Sequence, residues 1–335
     1  MRWTSDAAWH WYRRFAPVCG VNYVPSTAVN TTEMWQGETF DPATITRELG
    51  WAASLGLNCC RVFLQYLVWE ADPAGVRARL DQFLAIAAGC GLRTILCLFD
   101  DCAFSGKQPF LGPQDAPRPG LHNSAWTPSP GHARVTDPAA WPRLRAYVTA
   151  IIRAHRDDPR VLLWDLYNEP GNAGMDARSL PLVRETFAWA RAARPTQPIT
   201  GGAWDFGSPV QAAYNDWYLA ESDVITFHNY GGAGAFTSLL PVLRAPGRPL
   251  ICTEWMRRPA CRVADLLPFF TREEIGWVFW GLVNGKTQTH YPWDSPAGAP
   301  EPPLWFHDIY RADGSPYLPE ELELLRAATH PPAVA

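Results

Sequence analysis

Apolar residues gather along this chain in short runs without strict alternation, and between the runs they recur at helical spacing. A run of the first kind reads as a strand buried on both faces, as in a parallel sheet. Residues 17–23, 58–64 and 93–99 predict the first three strands, and 161–170 a fourth. Four more are read at 197–202, 223–227, 248–254 and 275–280. Helices fill the intervals. Asp41-Pro42 opens one as an N-cap followed by proline in the first turn, Ile45, Leu49, Ala52 and Leu55 supply its core stripe, and Gly56 ends it. Residues 72–91 predict a second, with Leu80, Phe83, Leu84 and Ala87 on one face, and Asp137-Pro138 repeats the cap signal for a helix reaching about 155. Further helices are read at 179–194, 209–220, 235–244, 263–272 and 319–328.

Eight strands alternating with eight helices predict the α/β class and a single (β/α)8 TIM barrel. Two doubly wound domains would give the same number of units. Polar residues close nearly every strand, however, which favours one ring around one site. Composition does not change along the chain and no linker interrupts it, so residues 1–335 are read as one catalytic domain with a barrel core at 17–318. Long Pro-rich loops follow strand three (102–136) and strand eight. A loop of that length inside a compact domain is functional or disordered, and His122, Asn123 and Trp126 favour function.

Two strand ends carry the candidate chemistry. The fourth run stops at Asn168-Glu169-Pro170, and the seventh ends in Glu254-Trp255. Polar residues at the C-terminal ends of barrel strands face the active site. Two glutamates so placed are what retaining glycoside hydrolysis needs: one protonates the leaving oxygen while the other attacks the sugar, about 5–5.5 Å away. Either glutamate alone could equally be a surface acid in an ion pair.

Composition narrows the partners. Hydrophobic residues make up 47% of the 335, enough for a large core, and the net charge of −4 has no long run of one sign. Neither a nucleic acid nor a membrane surface is an expected partner. No apolar stretch is long enough to span a bilayer. Residues 1–14 show no apolar signal core, so the chain as given is expected to be cytoplasmic. Cys19, Cys59, Cys60, Cys97 and Cys252 lie in or beside apolar runs and none forms a C-x-x-C pair, which predicts buried free thiols. The 17 tryptophans stand out. Those near strand ends are candidate sugar platforms, namely Trp35, Trp126, Trp204 and Trp293, while Trp51 and Trp189 read as core.

Asn-Glu-Pro after a fourth strand and Thr-Glu-Trp after a seventh resemble the retaining β-glycosidases of glycoside hydrolase clan A, most of all family 5, the cellulase-like family, some of whose members are labelled 1,4-β-xylanase. The resemblance implies Glu169 as acid/base and Glu254 as nucleophile. It implies Asn168 as the ligand of the sugar 2-hydroxyl, Arg61 as the contact of the nucleophile, His228 and Tyr230 as the strand-six pair, and Trp280 under the sugar beside the scissile bond. One departure is plain. Where the family often has a histidine after strand three, this chain has Asp100-Asp101, read as sugar-hydroxyl ligands or as a capping acid.

The expected substrate is a β-linked gluco- or manno-configured oligosaccharide or glycoside, because long loops can wall one end of a cleft and polymers do not enter cells. The alternatives are an endo-β-1,4-glucanase or xylanase, a non-catalytic carbohydrate-binding barrel, and a metal-assisted hydrolase using Asp100, Asp101 and His228. The glutamate pair favours the first reading, which needs no cofactor and no metal. Oligomeric state, sugar and linkage are not legible.

Overall fold

A computed structural model describes residues 1–329. Its strands are β1 (Cys19–Asn22), β2 (Cys59–Phe63), β3 (Arg93–Cys97), β4 (Val161–Asp165), β5 (Ile199–Thr200), β6 (Gly202–Ala203), β7 (Ile225–His228), β8 (Leu250–Glu254) and β9 (Gly276–Trp280). Every pairing is parallel. The sheet order is β5-β4-β3-β2-β1-β9-β8-β7-β6. Its two edges, β5 and β6, are consecutive pieces of one run with Gly201 between them. The fifth predicted strand is therefore one barrel strand broken in the middle, and the ring is the (β/α)8 barrel.

Glycines make that break possible. A Cβ on Gly201 would overlap the Tyr218 ring, and one on Gly202 would lie 2.7 Å from His228 Nε2. Only a residue without a side chain lets the strand pass an aromatic ring on one side and the imidazole on the other.

The helices between strands form as their signals predict. Asp41 and Asp72 cap the helices Pro42–Ser54 and Pro73–Gly89, each accepting a backbone N–H three residues on. Their apolar stripes pack outside the ring, with Ile45, Leu49, Leu80, Phe83 and Leu84 fully buried. Gly56, at positive φ, follows the first of these helices. The fourth strand is shorter than read from its apolar run. It ends at Asp165, although Leu166 and Asn168 still donate to Thr200 O and Phe99 O. Glu169, at φ 37°, turns the chain out of the ladder.

Sequence reading missed four short or terminal helices: Ser5–Phe15, Thr31–Trp35, Tyr66–Ala71 and His132–Val135. The first has a structural task. Ala8, Trp11 and Tyr12 pack with Val18, Cys59, Ile95, Leu162, Leu163, Val224, Ile251 and Val278, closing the N-terminal end of the barrel. Trp11→Ala is expected to cost about 3–5 kcal/mol of unfolding free energy. Denaturant titration checks this, and turnover per folded molecule should hold because the strand-end site lies at the other end. No described helix is long and apolar enough to cross a membrane. All eight cysteines are free and all but Cys90 are buried.

Candidate active site

At the C-terminal ends of the strands lies a cavity of about 710 Å³, lined among others by Asn168, Glu169, His228, Tyr230, Glu254 and Trp280. Beneath it sits one fully buried guanidinium. Arg61, in the middle of β2, donates through Nε to Asp165 Oδ2 at 2.8 Å and through Nη1 to Asn22 Oδ1 and Glu254 Oε1, both at 2.8 Å. Nη2 donates to Asn168 Oδ1 at 2.7 Å. Its charge also faces the Phe63 ring at 4.6 Å. A buried cation is tolerable only when its donors are filled in this way. The reverse holds for its partners. Arg61→Met strands Asp165 and Glu254 as buried, uncompensated carboxylates and is expected to lower stability by about 3–5 kcal/mol, read by denaturant unfolding.

Glu254 ends β8 and is 5% exposed, so burial raises its pKa, offset by His228 and Arg61. Tyr230 O–H donates to its Oε2 at 2.9 Å. Both oxygens are thus held and aimed by strong donors.

Glu169 is handled differently. Burial raises its pKa too, while Cys102, Asn172 and Arg61 pull it down and Asp205 pushes it up. Its donors are neutral. Asn172 Nδ2 reaches Oε2 at 2.8 Å, and His228 Nδ1 meets Oε1 at 2.9 Å. His228 Nδ1 is also 3.7 Å from Glu254 Oε2, so it stands between the two acids. Burial pushes its pKa down to about 4. A neutral imidazole facing two carboxyl groups carries its proton on Nδ1, which leaves Nε2 as an acceptor. That Nε2 is buried without a partner, beside Gly202. Glu169, His228 and Glu254 each bring one side-chain oxygen or nitrogen within 4.8 Å of the others.

Asn168 spends its amide on the protein. Oδ1 accepts from Arg61, and Nδ2 donates to Asp100 Oδ1 at 2.9 Å. The second amide hydrogen has only the Cys102 sulfur, 3.6 Å away.

The acidic pair after β3 divides. Asp100 lines the cavity, but three N–H groups hold its oxygens: Cys102 N, Asn168 Nδ2 and Trp126 Nε1 at 2.9, 2.9 and 2.7 Å. Asp101, expected among the sugar ligands, is fully buried and turned away. It accepts from Tyr167 O–H, Gly171 N–H and Ser179 O–H, and burial pushes its pKa to about 7. It ties down the loop that carries Glu169 and caps no described helix. A metal set of Asp100, Asp101 and His228 is therefore not assembled.

The aromatic expectations divide as well. Trp126 and Trp280 line the cavity at an edge-on 6.4 Å, and Phe63 meets both. Trp204 lines it half-buried, and Trp293 stands 43% exposed at its rim. Trp35 is a correction. It is fully buried in the core, with its N–H on Phe63 O. Asn123 lines the cavity with a buried Oδ1 that has no protein partner.

The two long loops lock together over this side. Asn123 N–H donates to Thr287 O, Gly298 N–H to Pro119 O, and His122 Nδ1 to Tyr291 O. His122 is neutral, burial holding its pKa at about 4, and its ring packs among Phe104, Trp293, Phe306 and His307. The loop after β3 brings His122, Asn123 and Trp126 to the cavity wall.

Sequence reading missed Asn22, Asp165, Cys102 and Asn172, and also Arg257 and His307, which line the cavity. For Asp165 a signal existed: a lone acid inside an apolar strand, matched by a lone arginine inside another. For Asn172 and Cys102 the local sequence carried none, because loop geometry alone brings them to Glu169.

No family model matches the chain, and no curated protein matches its sequence. Solved structures do match its fold. An endo-beta-1,4-mannanase from Thermotoga petrophila superposes with a TM-score of 0.59 at 16% identity, over 93% of this chain and 76% of that one. A point-substituted variant of GH5_18 from Streptomyces cattleya, in complex with Manb1-4GlcNAc, gives 0.64 at 16% identity, over 96% and 82%. The exo-beta-1,4-mannosidase Op5Man5 from Opitutaceae bacterium strain TAV5 gives 0.63 at 21% identity, over 93% and 59%. At these identities the likeness carries the fold, and the fold of this chain is the (β/α)8 barrel of these glycoside hydrolase structures.

Proposed function

We propose that this protein is a retaining β-glycosidase that acts through a covalent glycosyl-enzyme, with Glu254 as nucleophile and Glu169 as acid/base. One observation carries the reading. Each of the two strand-end glutamates brings one oxygen within 4.8 Å of an oxygen of the other, a close approach that suits the about 5–5.5 Å carboxyl spacing of retaining enzymes better than the about 6.5–9.5 Å that leaves an inverting enzyme room for water. Their surroundings suit different roles. Glu254 has a guanidinium and a phenol on it, which favour the anion. Glu169 has only neutral donors and the pull of burial, so of the two it keeps the proton.

The first step then follows. Glu254 attacks the anomeric carbon as Glu169 gives its proton to the leaving oxygen. Glu169, now a carboxylate, takes a proton from water, which attacks the anomeric carbon and releases Glu254. The second amide hydrogen of Asn168 is the donor available to the 2-hydroxyl.

The substrate class we favour is a short β-linked oligosaccharide of gluco or manno configuration. The interlocked loops wall one side of the cavity, which favours chain ends over polymer interiors. The mannosidase and mannanases among the matching structures favour manno. An endo mode is the second reading, supported by the endo-mannanases themselves.

The test is a panel of aryl β-glycosides and β-1,4-oligosaccharides, with the product anomer followed by NMR. Retention and trimming from one end are expected, with activity unchanged by EDTA. Inversion, or loss with chelator, would remove the proposal. The pH dependence of kcat/KM should be bell-shaped. Below the pKa of Glu254 the nucleophile is protonated, and above that of Glu169 the acid is spent. Because burial raises both, the active window sits above the range where exposed carboxyls titrate.

A further inference from the structure

Cys102 opens the loop after β3 and lines the cavity while nearly buried. Its sulfur stands 3.4 Å from Glu169 Oε2, with the thiol set to donate. The side chain is fixed from several directions. Its backbone N–H is on Asp100 Oδ1 at 2.9 Å. Asn172 Nδ2 and Asn168 Nδ2 approach the sulfur at 3.4 and 3.6 Å, toward its lone pairs. Asn172 also donates to Glu169 Oε2. Asp100 is the other carboxylate within the thiol's reach, but three N–H groups already take three of its four acceptor sites, which leaves Glu169 Oε2 as the less crowded partner. Burial pushes the thiol pKa well up, and Asp100, Glu169 and Glu254 add to the rise, so the group is S–H rather than thiolate.

We propose that Cys102 is a positioning residue for the proton of Glu169: its thiol and the Asn172 amide fill Oε2, which confines the carboxyl proton to Oε1. Oε2 has two lone pairs and two donors. Oε1 has one donor, His228 Nδ1, and one lone pair left. The same thiol steadies the carboxylate after the proton has gone. A hydrogen bond to the charged form favours it, so the thiol lowers the pKa of Glu169. Removing it raises that pKa and opens a second oxygen to the proton.

The test titrates Glu169 directly by 13C NMR of protein labelled at glutamate Cδ, with its signal identified by loss in Glu169→Gln. Cys102→Ala should move the midpoint upward by about 0.5–1 pH unit, and Cys102→Ser, which keeps a donor, by only a few tenths. The other titratable or charged groups around Glu169, namely His228, Glu254, Arg61, Asp100 and Asp205, are common to all three proteins. Equal midpoints in wild type and Cys102→Ala would overturn the proposal.

A second readout uses wild type alone. Across the same titration, the infrared S–H stretch should gain a lowered-frequency component as Glu169 ionises. A band that follows another group, or does not move, overturns the proposal even where Cys102→Ala fails to fold.

The role in turnover rests on the glycosidase reading and is tested separately. The basic limb of kcat/KM should rise in Cys102→Ala by the same displacement as the NMR midpoint. An NMR shift without a shifted limb would remove Glu169 as the acid while leaving the thiol's hold on its proton intact.

Discussion

Glu254→Gln is expected to lower turnover of aryl β-glycosides by roughly 10⁴-fold or more, which is about 5 kcal/mol of transition-state stabilisation. The amide has the shape of the carboxylate and keeps one oxygen for Arg61, while its NH2 replaces the oxygen that accepts from Tyr230, whose hydroxyl can rotate to accept instead. It cannot form the glycosyl ester. Arg61 retains Asp165, Asn22 and Asn168, so the guanidinium is not stranded and the fold should survive. Substrate affinity should persist, since Glu254 is one of many groups lining the cavity. Steady-state kinetics beside equilibrium binding check both halves. Full activity in this variant would take Glu254 out of the chemistry. Binding without turnover in wild type would point to a carbohydrate-binding barrel instead.

Glu169→Ala should separate substrates by leaving group. Sugars and simple alcohols need a proton to depart, so their cleavage should fall by about 10²–10⁴-fold. A dinitrophenolate departs without help, so its release should be slowed far less. Water then lacks its base, and the glycosyl-enzyme accumulates after a burst. Azide needs no base and fits the space vacated by the carboxyl, so adding it should restore turnover and yield a β-glycosyl azide. The comparison is a burst experiment on two aryl glycosides, with and without azide. Equal losses for good and poor leaving groups would contradict the acid role.

Much of this was legible in the sequence for one physical reason. In a parallel barrel the strands are apolar on both faces, and chemistry gathers where they end. Asn168-Glu169 and Thr253-Glu254 stand out against that background, and Arg61 does so inside β2. The rest depends on how loops fold back. Asp100 and Asp101 are adjacent and chemically identical, yet one faces the cavity and the other the Glu169 loop. Only the turn between them decides which. Trp35 and Trp126 both sit in loop sequence after strand ends, but a short helix carries the first into the core. Cys102 and Asn172 meet across two loops at one carboxyl oxygen. The N-terminal helix had its signals, Thr4 as cap and Arg13 and Arg14 in the last turn, but no strand preceded it to suggest a place in the alternation.

The most direct test of the central claim is to trap the covalent intermediate. A 2-deoxy-2-fluoro β-glycoside with an activated leaving group lacks the 2-hydroxyl contact and slows both steps, while the leaving group keeps the first step running. Incubation should inactivate the enzyme with one sugar per chain, and peptide mass spectrometry should place that sugar on Glu254. A label on another residue, or inversion at the anomeric centre with no label at all, would contradict the account.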